Sequence, residues 1–532
     1  MKKALRLLFL GLALPVSVLS LVSFSSAAPE GYLGNIVKEK CMVCHTVNSE
    51  GKVSRIDYVR KTPEGFEATV NRMQRLWGLK LTDEEKRQVI KDLSQARPLA
   101  PAETEKIMYL LTGEHGTIEQ VPNETVKAAC TRCHSFARVA AQRRTKEEWM
   151  KLKDTHMALN PALILQTRDT DWPKIATEAL NWLAEKYPVD TQEYREWRAA
   201  GSPRAIDGKW QVVGYQPGKG KYFGTVEFAG QGNGEYQETR NITYADGSES
   251  KWEGTGRLYS GFSLRSSLIS GEEKAKGVLL LQGDVFRGKW HSLKDAGISG
   301  EETYYREGAG AAKVTDVFPA ALRRGTTATL TIRGVNLPAA IKPGDINLAG
   351  GVTVKKVVSA SANGVTVEVA VGQGPDLRGD VKAGSALGKG LVTVFDKVDY
   401  LKITPEYAVA RLGGGGRDKE GVQFQALGYS NGADGKAGTG DDLSVGPLEG
   451  VQWSVKEFVN APGDDEIKWI GSLDQQGYFT PAIDGPNPQR PMATNNAGAV
   501  TVVGKYQPPG GGKPVAGEAK LLVTVPVYRA VE

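Results

Sequence analysis

Cysteine and histidine are scarce in these 532 residues, with four of the first and five of the second. Four cysteines in an exported chain would ordinarily suggest disulfides, but their spacing, taken up below, says otherwise. Long apolar runs are also scarce: only Leu7 to Val22 qualifies, which excludes a polytopic membrane protein. Charge of one sign is nearly absent as a bias. The formal net charge is +6, and three of the positive charges (Lys2, Lys3, Arg6) lie in residues 1–28, which hold no acid. That balance is too weak to argue for nucleic acid as a partner. No serine stands in a Gly-x-Ser-x-Gly setting. The four consecutive glycines Gly413 to Gly416 are not followed by Lys-Ser/Thr, so a phosphate loop is unsupported. With 40% hydrophobic and 24% charged residues, the chain has ordinary globular composition; collagen, coiled coil and wholesale disorder are ruled out.

The N-terminus reads as an address. Lys2, Lys3 and Arg6 precede the apolar stretch, which ends in Ser25-Ser26-Ala27-Ala28. This is the layout of a signal peptide over residues 1–28, cleaved near Ala28. Export to a periplasm is the expectation, with no membrane association after cleavage.

All four cysteines fall into one pattern. Cys41-Met42-Val43-Cys44-His45 and Cys130-Thr131-Arg132-Cys133-His134 are both C-x-x-C-H, the attachment signature of c-type haem. Two thiols reach the two vinyl groups of one porphyrin, and the adjacent histidine becomes the proximal iron ligand. A zinc site or a thioredoxin-like redox pair explains the paired cysteines but not the histidine that follows each pair. Two haem c are therefore expected, attached through Cys41, Cys44, Cys130 and Cys133.

Residues 30 to 200 read helical and repetitive. Lys61-Thr62-Pro63-Glu64-Gly65-Phe66 follows the first motif as Arg144-Thr145-Lys146-Glu147-Glu148-Trp149 follows the second. The flanking stretches are offset by 83 and the motifs by 89, so the first copy holds about six more residues, placed around Gly51 to Ile56. With His45 and His134 proximal, the distal candidates are Met73, Met108 and His115 in the first half, and Met150, His156 and Met157 in the second. Aligning Phe66 with Trp149 sets Met73 opposite His156. The iron ligands expected are thus His45 and Met73 for one haem, His134 and His156 for the other. Met108 reads as core packing and His115 as a helix-end loop. Met157 points about 100° from its neighbour on a helix, so both cannot serve.

Past residue 200 the pattern becomes short strand-like runs with Asp-Gly and Asn-Gly turns. The expected fold is multidomain, α then β. An all-α dihaem cytochrome c domain (29–200) precedes three antiparallel β domains: barrel-like (205–308), immunoglobulin-like (312–401) and an immunoglobulin-like sandwich (402–532). Within these, Asn431 to Asp442 carries Asp434, Asp441 and Asp442, but the spacing is not an EF-hand and a Gly-rich hairpin loop is the better reading. His291 sits in a strand, and no catalytic constellation is found after residue 200.

The order and sizes of these parts resemble the alpha subunit of quinohemoprotein amine dehydrogenase. The resemblance implies a periplasmic αβγ heterotrimer, with beta and gamma subunits as partners, oxidising primary amines (an oxidoreductase acting on CH–NH2). It places the cysteine tryptophylquinone cofactor, and hence the catalytic centre, on the gamma subunit. Electrons would leave through the haems of this chain to a soluble cytochrome c or blue copper protein. Cysteine arithmetic agrees: a quinone built from Cys and Trp needs a cysteine, and none is spare here. Two other classes stay open at this point: a stand-alone dihaem cytochrome or peroxidase, and a haem-bearing surface binding module.

Overall fold

The computed structural model describes residues 34–525, apart from 115–116, 202–204, 309, 460–462, 464 and 510–511. The expected signal peptide lies outside the described residues.

The N-terminal region is built from two copies of one unit. The first comprises α1 (Asn35–Cys41), β1 (Val59–Lys61), α2 (Pro63–Trp77) and α3 (Asp83–Ala96), followed by the short helices α4 (Pro101–Glu105) and α5 (Met108–Leu111). The second comprises α6 (Glu124–Cys130), α7 (Phe136–Ala140), β2 (Gln142–Arg144), α8 (Lys146–Leu159), α9 (Leu163–Gln166) and α10 (Trp172–Lys186), and α11 (Gln192–Ala200) closes the region. Local chemistry sets matching helix starts. Thr62 Oγ1 accepts from Gly65 N at 3.2 Å, and Thr145 Oγ1 accepts from Glu148 N at 3.3 Å, each satisfying an orphan N–H of the first turn. α3 begins with a full capping box between Thr82 and Glu85. Phe66 and Trp149 are both buried, each anchoring its helix in its own core.

The region is not the all-α domain expected. β1 and β2 pair antiparallel with Val59 opposite Arg144, Arg60 opposite Arg143 and Lys61 opposite Gln142. Arg143 is the repeat equivalent of Arg60, so equivalent residues pair with one another across a pseudo-twofold axis. These three-residue strands are charged and show no apolar alternation, which is why periodicity reads past them.

The chain as a whole is predominantly β. Eight antiparallel strands, β3 (Gly208–Gln216), β4 (Gly220–Gly232), β5 (Glu235–Tyr244), β6 (Glu249–Tyr259), β7 (Ser263–Ser270), β8 (Glu273–Gln282), β9 (Val285–Ser292) and β10 (Ser299–Arg306), form a closed barrel in which β10 returns to β3. Its interior holds Trp210, Tyr222, Phe228, Phe286 and Tyr304. It also buries an ionic group: Arg240 bonds Glu238 at 2.7 Å and Glu302 at 2.7 Å. Gly224 and Gly288 lie where a Cβ would meet a neighbouring strand's carbonyl oxygen at 1.9 Å, so the sheet can coil tightly there.

The next β domain also departs from the expectation. Its eight strands run as one sheet from Lys313–Phe318 to Ala321–Arg323, and Lys313–Phe318 also pairs in parallel with Ala386–Phe395, so the sheet closes into a second barrel. Ala321–Arg323 runs parallel to Ala386–Phe395 as well. The last domain has sheets of three, four and three strands, with Tyr407–Arg411 parallel to Val515–Thr524. The last two domains are therefore not purely antiparallel, whereas the first barrel is. Strand runs are visible in sequence, but the partner of a short edge strand is a non-local choice that periodicity does not encode.

The haem-motif region sits on the first barrel. Met108 and Trp197 pack against the barrel core, and Trp197 meets Phe262 edge-on at 5.6 Å. Ser260 Oγ donates to Ser94 O at 2.7 Å, and Arg265 donates to Glu64 at 2.6 Å.

Candidate haem sites

Each C-x-x-C-H motif begins at the last residue of a helix. After α1, Cys44 N and His45 N both donate to Cys41 O, at 3.1 and 3.0 Å. This single turn gathers Cys41, Cys44 and His45 at one helix end. Cys41 packs against the cluster of Val37, Phe66, Val70 and Val89, and Cys130 against that of Val126, Ala129 and Trp149. Cys44 and Cys133 are exposed. Burial raises the Cys41 thiol above its ordinary range and pushes Cys130 up to about 12. A reactive Cys-x-x-Cys pair sits where its surroundings depress a thiol; burial acts in the opposite direction on Cys41 and Cys130. Among the described residues no group of three or more His, Cys, Asp and Glu converges to hold a metal ion, and the zinc alternative has no ligand set.

The histidines are oriented for ligation through Nε2. His45 Nδ1 lies 2.9 Å from Ser54 O, and His134 Nδ1 lies 3.1 Å from Ser135 O. A carbonyl only accepts, so Nδ1 carries the proton and Nε2 keeps its lone pair, the arrangement that second-shell bonds impose on metal-bound histidine. The extra residues of the first copy form a small hairpin (Val47 bridges Val53) that brings Ser54 to His45. The second copy lacks it, and His134 uses its own neighbour.

The distal candidates separate clearly. His156 Nδ1 lies 2.7 Å from Leu152 O on α8, which again leaves Nε2 free. Its ring is 6.2 Å from Trp172, whose Nε1 donates to Ala129 O at 3.0 Å, next to Cys130. Burial first, then the charges of Arg138 and His156, push His134 below its usual range. Met73 stands at the matching position of α2, half-buried, eleven residues past the capping threonine as His156 is. The Cys41 cluster does not include it, and the structure records no contact between Met73 and His45. Met108 packs against the barrel core, a different core from the Ile107, Leu110 and Leu111 surroundings expected. Met150 packs into the Trp149 core and Met157 against Leu163 and Trp172. His115 lies outside the described residues.

Large apolar side chains stand exposed in the haem-motif region: Val43, inside the first motif, and Trp77, Ile118 and Leu165 elsewhere in the region are each at least 70% exposed.

Sequence reading missed the ionic centre on the axis. Glu103 bonds Arg60 with both oxygens, at 2.7 and 3.0 Å, and pairs with Arg143 at 2.9 Å. Arg60 also donates to Pro98 O and Val189 O and stacks 3.9 Å over Tyr194. Burial alone would raise the Glu103 carboxyl; the Arg60 hydrogen bonds and the two guanidinium charges outweigh it and hold the group at about 2. The signal was present in the repeat, since an arginine recurs at 60 and 143. Elsewhere, the Asn431 to Asp442 carboxylates are spent locally: Asp441 accepts from Ala433 N and Asp434 N, and Asp442 from Gly438 N, Thr439 N and Tyr400. That is a hairpin loop stabilising itself.

Four family models match in succession. They are the haem-binding domain of the quinohemoprotein amine dehydrogenase A alpha subunit (residues 33–194), and alpha-subunit domains II (203–302), III (311–396) and IV (401–532). The chain belongs to the quinohemoprotein amine dehydrogenase alpha-subunit family. It is thus a haem-binding subunit of a multisubunit oxidoreductase, and the family implies partner subunits. No curated protein matched this alpha-subunit chain in sequence. Among solved structures it is similar to a redesigned beta barrel, mFAP1, bound to DFHBI (19% identity over 19% of this chain and 94% of that one, TM-score 0.18). It is also similar to zebrafish RET cadherin-like domains 1 to 4 (11% identity, 59% and 66%, TM-score 0.18). At such scores neither bears on function.

Proposed function

We propose that this alpha subunit is the electron-transfer subunit of an exported, periplasmic amine dehydrogenase and carries two c-type haems. Cys41 and Cys44 attach one, Cys130 and Cys133 the other. His45 and His134 are the proximal ligands; Met73 and His156 are the distal ones. The observation that carries the reading is the pair of C-x-x-C-H helix ends in which each histidine has Nδ1 tied to a carbonyl. The haems, when attached, supply one-electron redox chemistry. This chain's residues orient the imidazoles and half-bury one thiol of each pair. With these four residues as ligands neither iron would keep an open site, which argues against a stand-alone peroxidase.

Electrons enter from a cysteine tryptophylquinone on the gamma subunit of an αβγ heterotrimer and leave to a soluble cytochrome c or blue copper protein. The β domains hold the partner subunits; barrels and sheets suit this because they are rigid and offer loops for docking. The test uses the purified mature chain with an artificial acceptor. Two covalent haems and no amine oxidation are expected, with amine-dependent haem reduction appearing only when beta and gamma subunits are added. Steady amine oxidation by the chain alone would overturn the reading.

A further inference from the structure

The second haem motif runs directly into a helix, and that helix is capped from outside. Ser135 precedes α7, yet its own side chain makes no capping bond. The first-turn N–H groups, which have no partner within the helix, go to Glu119 instead. Phe136 N donates to Glu119 Oε2, and Ala137 N donates to Oε1 at 2.8 Å. Tyr109 Oη donates to the same Oε1 at 2.8 Å. Glu119 is half-buried in the connection between α5 and α6, and Tyr109 belongs to α5. Both carboxylate oxygens are thus committed, and the group cannot swing away without giving up a bond.

One peptide unit joins this carboxylate to His134. The Phe136 N–H and the Ser135 carbonyl belong to a single planar group. Its N–H is held by Glu119, and its oxygen lies 3.1 Å from His134 Nδ1, with Arg138 N as a second donor at 3.3 Å. The order carboxylate, peptide, imidazole is continuous. Hydrogen bonds in such a chain polarise one another: the anion draws the N–H, the carbonyl oxygen becomes more negative, and it accepts more strongly from Nδ1–H. A stronger bond at Nδ1 makes Nε2 the better donor to a metal. The first copy is built differently. His45 Nδ1 meets Ser54 O, and the acid that follows, Asp57, bonds Val53 N and Arg97 rather than the Arg55 N–H of that peptide.

We propose that Glu119 is a positioning residue for the second haem. Acting through the Ser135–Phe136 peptide, it fixes the His134 imidazole and strengthens Nε2 as an iron ligand, which lowers the potential of the haem attached at Cys130 and Cys133. A more basic ligand stabilises the ferric state, and second-shell hydrogen bonding is one of the means by which a protein sets a haem potential. This rests on the haem assignment above, which is checked beforehand by showing two covalent haems in the wild-type chain. Absent haem would count against that assignment; the results below, read in haem-loaded protein, count for or against Glu119.

The experiment compares full-length Glu119→Gln, Tyr109→Phe and Glu124→Gln variants with wild type. Glu119→Gln removes the charge while keeping an oxygen that accepts from the α7 backbone. Glu124 is 86% exposed at the start of α6, so its variant shows what losing a surface carboxylate of the same unit does. Spectroelectrochemical titration gives both potentials, the second haem being the one that His134→Gln perturbs. Electron paramagnetic resonance of the ferric protein reports the ligand field of each iron. Glu119→Gln is expected to raise the second potential and shift the g values of that haem, with the first haem unchanged. Tyr109→Phe is expected to lower the second potential, since one donor fewer leaves more negative charge directed at the peptide; it also carries the test should Glu119→Gln fail to take up haem. Glu124→Gln should move neither potential. An unmoved second potential in Glu119→Gln, an equal rise in both haems, or the same rise in Glu124→Gln would overturn the proposal. So would a Tyr109→Phe shift in the same direction as that of Glu119→Gln, the signature of loosened packing.

Discussion

Replacing Glu103 by Gln removes one charge while keeping the shape and the acceptor for Ala100 N, which lies 2.7 Å from Oε2. What remains is a pair of arginines, Arg60 and Arg143, buried and opposite one another on β1 and β2. Two routes give the magnitude. The carboxyl is held at about 2 against an ordinary 4.5; at about 1.4 kcal/mol per pH unit this corresponds to about 3 kcal/mol. Breaking a buried ion pair from one side costs about 3–5 kcal/mol. The two agree, and for a region of this size a loss of about 3–5 kcal/mol lowers Tm by about 6–20 °C. The pH dependence has a definite sign. A depressed carboxyl contributes fully above its unfolded value of 4.5 and loses that contribution as pH falls through the interval down to 2. The gap between wild type and Glu103→Gln should be complete at pH 7 and reduced by about 2 kcal/mol at pH 3. Denaturant unfolding followed by the haem absorbance, at a series of pH values, measures it. A gap below about 1 kcal/mol at pH 7, or one that does not narrow on acidification, would refute the reasoning.

Met73→Ala is expected to abolish the near-infrared sulfur-to-iron band of the oxidised protein and to lower one haem potential only; survival of the band would exclude Met73 as ligand. His156→Ala should convert one haem to a high-spin form that binds exogenous ligands while the other keeps its spectrum, checked by absorbance and magnetic circular dichroism. Phe262→Ala, which removes the ring against Trp197 at the seat of the barrel, should cost about 3–5 kcal/mol in stability without altering either haem spectrum. Deletion of residues 205–532 should abolish assembly with the partner subunits and amine turnover; a trimer that still formed would remove the scaffold role.

That the N-terminal region binds haem was legible in the C-x-x-C-H spacing at Cys41 to His45 and Cys130 to His134, both inside the matched haem-binding domain. The repeat was legible because Thr62 and Thr145 start equivalent helices, so the Met73–His156 alignment follows from cap positions that the structure reproduces. The short strands of the N-terminal region were not, since Val59–Lys61 and Gln142–Arg144 are held by register across the axis and carry no pattern of their own. The closure of the second barrel was equally hidden: Lys313–Phe318 meets Ala386–Phe395 only after the whole domain has folded. Buried charges such as Glu103 defeat sequence reading for a different reason. An isolated Glu among Pro101, Ala102 and Thr104 looks like the acidic first turn of a helix, and the two arginines it serves lie 43 and 40 residues away.

The antiparallel pairing of β1 with β2 has a consequence for how the two haem motifs relate. A tandem repeat joined by a flexible linker would leave each unit free to move, and transfer between the units would depend on chance orientation. Here equivalent residues pair on the axis, and Glu103, from the connection between the units, locks an arginine from each. The same seam ties in both C-terminal ends: Lys61 bridges Pro98 after α3, and Arg144 bridges Pro188 after α10. Each unit is thereby clamped at its middle and at its end to one small sheet. The polar seam contributes specificity of orientation in addition to stability, since an apolar replacement of the ionic centre could preserve burial but would not require Arg60 to stand opposite Arg143. A fixed separation of the two haem motifs follows from this construction. It should fail in variants that lose the Glu103 charge, even where both haems remain attached.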